Sequence, residues 1–266
     1  VELFPSTGLP TPRELDSALK KASQLWLISN KAVTLTKQHL AIILKHWKNG
    51  LGLYVFGDNR PYYVDANNLL DLVSKELRIS KLNFNGNHHG YQSVGVRENG
   101  GGGFLPHDLT TGLECLFEGI TVASLDPKRA AEAQCTEVLR DHEGNLIVVA
   151  REKQQDMDNG PLILDGAFTK LFHQWDEAGS ARFVSNCACW LSTKARMAGT
   201  SKKSVRNSTA SKTRIKKTGG GRPMKKATPK KSVSTKMKSR AKNQRKSWRG
   251  HQRTVFVPSL DRSFPL

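Results

Sequence analysis

The chain has 266 residues, with 42 Lys and Arg, 23 Asp and Glu, and a formal net charge of +19 at pH 7. Residues 192–254 contain 22 of the basic residues and no acidic residue, whereas residues 1–191 carry a net charge of −3. This distribution excludes a uniformly basic nucleic-acid-binding fold. No stretch reaches the roughly 18 apolar residues of a membrane span, and no signal peptide is visible.

Residues 1–191 alternate between strand-like and helix-like patterns. Apolar runs predict strands at residues 1–4, 24–29, 51–57, 82–84, 119–125, 146–151 and 161–165. Helical periodicity predicts helices at residues 36–49, with Thr36 as the N-cap, at 65–77 and at 178–191. Several strand runs are continuously apolar, which is typical of strands covered on both faces. The alternation predicts one α/β domain built on an open, doubly wound and mostly parallel sheet.

The domain is expected to end near residue 191, and residues 192–266 read as a basic tail. Many Lys, Arg, Ser and Thr with few large apolar side chains predict a disordered segment. The apolar stretch from Val255 to the end allows a short docking peptide, with a frayed terminus as the favoured alternative. At the other end, Val1 lies inside a strand-like run, which leaves open a missing first strand and helix.

The basic tail predicts binding to nucleic acid or another polyanion through charge, with little sequence preference. Residues 221–223 (GRP) match the core of an AT-hook, and the paired lysines that follow resemble a nuclear import signal, although both matches arise easily in basic sequences. The residues expected to contact a polyanion are Arg214, Lys216, Lys217, Arg222, Lys225, Lys226, Lys230 and Lys231.

The four cysteines, Cys115, Cys135, Cys187 and Cys189, lack C-x-x-C spacing and predict free thiols in a reducing compartment. The expected location is therefore intracellular, nuclear if the source is eukaryotic and otherwise cytoplasmic. No metal site and no cofactor are expected. A protein partner remains open.

Five segments together resemble a family with a class I glutamine-amidotransferase-like domain, some members of which carry a von Willebrand factor A domain. The segments are residues 57–67 (GDNRPYYVDAN), 107–113 (HDLTTGL), 116–121 (LFEGIT), 165–169 (DGAFT) and 175–186 (WDEAGSARFVSN). The resemblance covers about residues 1–191 and implies a flavodoxin-like three-layer sandwich. In amidotransferases of this fold a Cys nucleophile lies in the turn after a central strand. Here that turn, residues 57–60, contains no Cys, Ser or Thr, which disfavours amide hydrolysis through such a nucleophile.

Ligands of open α/β sheets bind beyond the carboxyl ends of the strands, where polar side chains collect in this sequence. The catalytic candidates are Asp58, His107 and Asp165, and the ligand-binding candidates add Asn59, His88, Thr110 and Glu118. Carboxylates beside histidines suit acid–base chemistry. The alternative is structural: Asp58 and Asn59 cap the next helix, and Asp165 braces a turn. Arg182 is expected to pair with Asp165 or Asp176.

Three functions therefore remain open from the sequence. The first is a non-enzymatic interaction or ligand-sensing domain with a polyanion-binding tail. The second is a hydrolase of small or sugar-like substrates that uses the strand-end polar residues. The third is a nucleic-acid-associated protein that acts mainly through its tail.

Overall fold

A computed structural model describes residues 2–3, 8–90, 92–94, 103–153, 159–173, 175, 179–204 and 254–257. The helices are α1 (Pro12–Leu19), α2 (Lys37–Lys48), α3 (Val64–Leu77), α4 (Pro127–Glu132) and α5 (Ser180–Ser204). The strands are β1 (Glu2–Leu3), β2 (Gln24–Ile28), β3 (Gly52–Phe56), β4 (Phe84–His89), β5 (Gln92–Val94), β6 (Gly103–Phe104), β7 (Cys115–Phe117), β8 (Thr121–Leu125), β9 (Thr136–Arg140), β10 (Leu146–Arg151), β11 (Leu162–Asp165) and β12 (Thr254–Val257).

Eight strands form the main sheet in the order β1-β12-β2-β3-β11-β10-β9-β6. Pairing is parallel from β1 to β11 and antiparallel from β11 to β6. The prediction of a mostly parallel sheet is therefore confirmed in part. Only five residues link β9 to β10, and a link of that length permits a hairpin but not the crossover that parallel strands need.

Buried side chains form two apolar clusters, one on each face of the main sheet. Alternate residues of β2 and β3 belong to different clusters, as the two-residue period of a strand requires. Helices α1 to α4 contribute to the first cluster, which includes Leu25, Ile43 and Leu53. Helix α5 contributes to the second through Phe183, Cys187 and Trp190. Both faces are therefore covered, which confirms the expected mixed α/β class.

Local sequence signals explain where the predicted helices lie. Thr36 accepts a hydrogen bond from the backbone of His39, and α2 follows directly, as predicted. Helix α3 also lies where its apolar stripe predicts it. The strands predicted at residues 82–84 and 119–125 do not join the main sheet. β4 begins at Phe84, the end of the first run, and pairs antiparallel with β8 in a separate two-stranded sheet.

The end of the chain returns to the main sheet. Strand β12 lies between β1 and β2 and pairs parallel with both. The four residues Thr254–Val257 therefore correspond to the docking alternative rather than to a frayed terminus. Helix α5 extends through Ser204, beyond the expected domain boundary at residue 191. Among the described residues, no helix combines the length and hydrophobicity needed to cross a membrane.

Candidate functional site

A buried ion pair occupies the carboxyl end of β11. Lys170 Nζ lies 2.8 Å from Asp165 Oδ1 and 3.0 Å from Asp165 Oδ2, and neither side chain is exposed to solvent. The backbone N–H of Ala167 donates to Asp165 Oδ1 at 3.0 Å. Burial raises the pKa of Asp165, while Lys170, Tyr54 and the Ala167 amide oppose that rise by stabilising the carboxylate. Asp165 thus braces the turn after its strand, and its charge is neutralised inside the protein.

Tyr54 of β3 connects this pair to helix α5. Its hydroxyl donates to Asp165 Oδ2 at 2.8 Å, and Cys187 Sγ donates weakly to the same hydroxyl at 3.8 Å. Burial raises the pKa of both Tyr54 and Cys187, so both hydrogens stay in place at neutral pH. On the other side, Lys170 Nζ lies 5.5 Å from the centre of the Phe183 ring, within cation–π distance.

Aromatic side chains pack against Tyr54, the tyrosine of this buried network. The Tyr54 ring centre lies 4.8 Å from that of Trp26 and 3.9 Å from that of Phe56. The three rings belong to one buried cluster that also includes Phe183. A low-dielectric environment of this kind strengthens the Asp165–Lys170 attraction and makes loss of either partner costly.

Asp58 lies beside this network, as the sequence predicted. It is 2% exposed and follows β3, and the Gly57 N–H donates to the Asp165 backbone carbonyl at 2.8 Å. Burial raises the pKa of Asp58 to about 8, the Asn59 N–H at 2.7 Å from Oδ1 lowers it, and the negative charge of Asp165 adds to the rise. Neither Asp58 nor Asn59 caps α3, whose N-cap is Tyr63. The carboxyl of Asp58 is therefore protonated near neutral pH.

His107 and Thr110 shape a turn instead. His107 Nδ1 accepts from the Leu109 N–H at 3.1 Å, and the Thr110 hydroxyl donates to the Leu105 carbonyl at 2.7 Å. The His107 ring centre lies 5.8 Å from that of Trp190. These contacts fix the 3₁₀ turn Asp108–Thr110, against which α5 packs through Asn186. The predicted grouping of His107 with the two carboxylates finds no support in these contacts.

His88 and Glu118 face different neighbours. His88 Nε2 lies 3.1 Å from Ser124 Oγ, and its Nδ1 lies 3.3 Å from Asn145 Nδ2. Glu118 is 1% exposed, with Oε2 3.6 Å from Nδ1 of His142. Arg182 is exposed, and Lys170 rather than Arg182 neutralises Asp165, so the Asp165 alternative for Arg182 is wrong. Asp176 lies outside the described residues.

His88, Asp141 and Glu143 have ligand atoms within 4.8 Å of one another. Asp141 Oδ1, however, accepts from the backbone amides of Glu143 and Asn145, and Asn145 Nδ2 donates to Asp141 Oδ2. These bonds hold the β9–β10 turn and already use the Asp141 carboxylate. We therefore assign the group a structural role.

The sequence analysis did not connect Tyr54, Lys170 or Cys187 with Asp165. Lys170 interrupts an apolar stretch five residues after Asp165, but that position alone does not distinguish a buried lysine from an exposed one. The expected polyanion-binding residues, Arg214 to Lys231, lie outside the described residues.

Comparison with known proteins adds little to this geometry. No protein-family model matches the chain, and no curated protein matches it. A solved structure described as "mmIFT52 N-terminal domain" is similar over 72% of this chain and 97% of that chain, with 14% sequence identity and a TM-score of 0.49. A similarity of this size carries no argument about function.

Proposed function

We propose that this chain is a non-enzymatic, amidotransferase-like α/β domain that acts in interaction or ligand sensing and carries a polyanion-binding basic segment. The observation that carries the proposal is the separation of charge, with 22 basic residues in residues 192–254 and a net charge of −3 in residues 1–191. A segment of this composition binds phosphates by releasing their counterions. The expected setting is intracellular, and nuclear if the source is eukaryotic.

The strand-end chemistry supports the non-enzymatic part of the proposal. Asp165 and Lys170 are wholly buried and neutralise each other, so neither is presented to a substrate. The turn at residues 57–60 has no Cys, Ser or Thr to act as a nucleophile. Cys187, which lies near the same network, has a raised pKa and therefore stays a thiol.

The test keeps the full chain, because β12 belongs to the sheet and truncation would remove it. Lys225, Lys226, Lys230 and Lys231 are changed together to Gln, and binding to fluorescent 20-base-pair duplexes of two unrelated sequences is measured. We expect affinity to fall at least about fivefold for both duplexes, since four phosphate contacts are weakened. Fluorescent heparin distinguishes a general polyanion site from one selective for nucleic acid.

The matched control changes four exposed lysines of the domain, Lys21, Lys31, Lys37 and Lys128, to Gln. It alters the net charge equally but leaves the basic segment intact, so it should retain affinity. Equal loss in both variants would indicate that net charge alone matters. Undiminished binding in the basic-segment variant would refute the proposal.

A second candidate is a hydrolase of small or sugar-like substrates. The observation that favours it is the raised pKa of Asp58, about 8, because a buried carboxyl protonated at neutral pH can act as a general acid. If this is correct, Asp58→Asn abolishes turnover in an ester, amide and glycoside panel while the circular dichroism spectrum is retained. Absence of turnover by the wild-type chain across the panel would argue for the non-enzymatic function.

A further inference from the structure

The exposed edge of a β-strand is a binding surface for an extended peptide, because its backbone N–H and C=O groups are unpaired. In this protein, the edge of β2 that faces away from β3 is covered by β12. The register pairs Thr254 with Gln24, Val255 with Leu25, Phe256 with Trp26 and Val257 with Leu27. The described part of the sheet therefore contains a strand position that a remote part of the chain fills.

The acceptor strand is suited to this role. All five residues of β2 are buried, and none is more than 2% exposed. Strand β1 pairs with β12 on the side away from β2, so β12 lies between β1 and β2 in the described sheet. Without β12, an apolar strand would present its backbone to solvent, and the two-residue β1 would lose its described partner.

The residues that form β12 also differ from the rest of the chain after Ser192. After Ser192, the chain contains one run of four consecutive β-branched or aromatic residues, and that run is Thr254–Val257. Such residues favour extended pairing. Forty-nine residues separate the end of α5 at Ser204 from Thr254, and 18 of them are Lys or Arg. A short apolar strand at the end of a long polar connection is an intramolecular ligand, held at high effective concentration by its tether.

We propose that the edge of β2 is a strand-acceptor site for an extended β-branched and aromatic peptide, and that residues 254–257 of the same chain are its resident, displaceable ligand. The basic segment then lies in sequence between two described elements of the domain, α5 and β12. Four residues provide a small paired area, so exchange of the strand requires only local opening. This inference does not depend on polyanion binding.

Hydrogen exchange on the full chain tests the proposal. Val255→Pro with Val257→Pro removes two N–H donors from β12 and prevents regular pairing. We expect the β2 amides that face β12 to exchange at least tenfold faster, while amides of β10 and β11 keep their protection. A synthetic peptide of residues 251–258 (HQRTVFVP) should restore protection in β2. A control with Ser259→Pro and Ser263→Pro, beyond the strand, should behave like wild type.

A second measurement uses the wild-type chain and needs no folded variant. Excess peptide should accelerate exchange at residues 254–257 while β2 stays protected, because one strand replaces the other. Failure of the peptide to do so, or full protection of β2 in the proline variant without peptide, would overturn the proposal. Protection that rises with protein concentration, together with a dimeric mass by light scattering, would show that a second copy supplies the strand and would overturn the intramolecular assignment.

Discussion

Lys170 and Asp165 form a two-contact ion pair, at 2.8 and 3.0 Å, with both side chains fully buried. Taking two charges out of water costs several kcal/mol per ion, and their mutual attraction offsets that cost only while both are present. Tyr54 and the Ala167 amide supply the remaining hydrogen bonds to the carboxylate. The pair therefore links β3, β11 and the 3₁₀ turn Phe168–Leu171, which follows β11, into one unit.

We expect Lys170→Met to reduce the free energy of unfolding by about 3–5 kcal/mol at pH 7, since Asp165 is left as an uncompensated buried charge. Urea unfolding followed by circular dichroism measures the change. The double variant Lys170→Met with Asp165→Asn should recover part of the loss, because it removes both charges.

Lys75→Met is the matched control, since Lys75 forms an exposed pair with Asp71. Its expected cost is below about 0.5 kcal/mol. A loss for Lys170→Met no larger than this control would show that the buried pair contributes little to stability.

The raised pKa of Asp58 predicts that the stability of the fold decreases as pH rises from acidic to neutral values. The folded pKa of about 8 lies above the ordinary aspartate pKa of 3.8, so the folded state binds more protons than the unfolded state between these two pH values. The stabilising contribution of this group is full below the unfolded pKa and is lost as pH rises toward 8. Asparagine does not titrate, so the free energy of unfolding of Asp58→Asn minus that of wild type should increase from pH 5 to pH 9, by at least about 1 kcal/mol.

The free energies of unfolding of wild type and Asp58→Asn are subtracted at each pH, so that the contributions of other titrating groups cancel. Chemical unfolding at pH 5, 7 and 9 provides it. A constant difference across this range would mean that the Asp58 carboxyl titrates alike in the folded and unfolded states.

Two neighbouring cysteines on α5 should differ sharply in reactivity. Cys187 is buried with a raised pKa, whereas Cys189, two residues later, points to solvent. Iodoacetamide at pH 8 should label Cys189 within minutes and Cys187 only after unfolding, because alkylation requires an accessible thiolate. Fragmentation of the labelled peptide in the mass spectrometer assigns the label to Cys187 or Cys189. A protease that cleaves at Ala188 would separate the two sites before the measurement. Equal labelling of both in the native protein would contradict the packing of α5.

Much of the fold follows from the sequence, because α2, α3 and the central strands have strong local signals. Helix α1 could also have been predicted, since Thr11 and Glu14 form a capping box and Pro12 begins the helix. The antiparallel half of the sheet was harder to predict from the sequence, although the short link at residues 141–145 indicates a hairpin. Apolar runs such as β8 do not reveal which sheet they join.

The candidate site was predicted only in part. Asp165 is the last residue of β11 and Asp58 lies just after β3, its neighbour in the sheet, so their proximity could be inferred. Lys170 could not be placed with them, because a lysine is assigned to solvent unless long-range packing shows otherwise. That packing comes from α5, where Phe183 lies against Lys170 and Cys187 contacts Tyr54 of β3.

The salt dependence of duplex DNA binding by the full chain tests the central claim most directly, namely that the basic segment carries the polyanion-binding function. Each phosphate contact contributes about 0.9 to the slope of log K against log salt concentration. Changing Lys225, Lys226, Lys230 and Lys231 to Gln should reduce that slope by about 2 to 4, and the four domain substitutions should leave it unchanged. An unchanged slope in the basic-segment variant, or a reduced slope in the domain variant, would contradict the account.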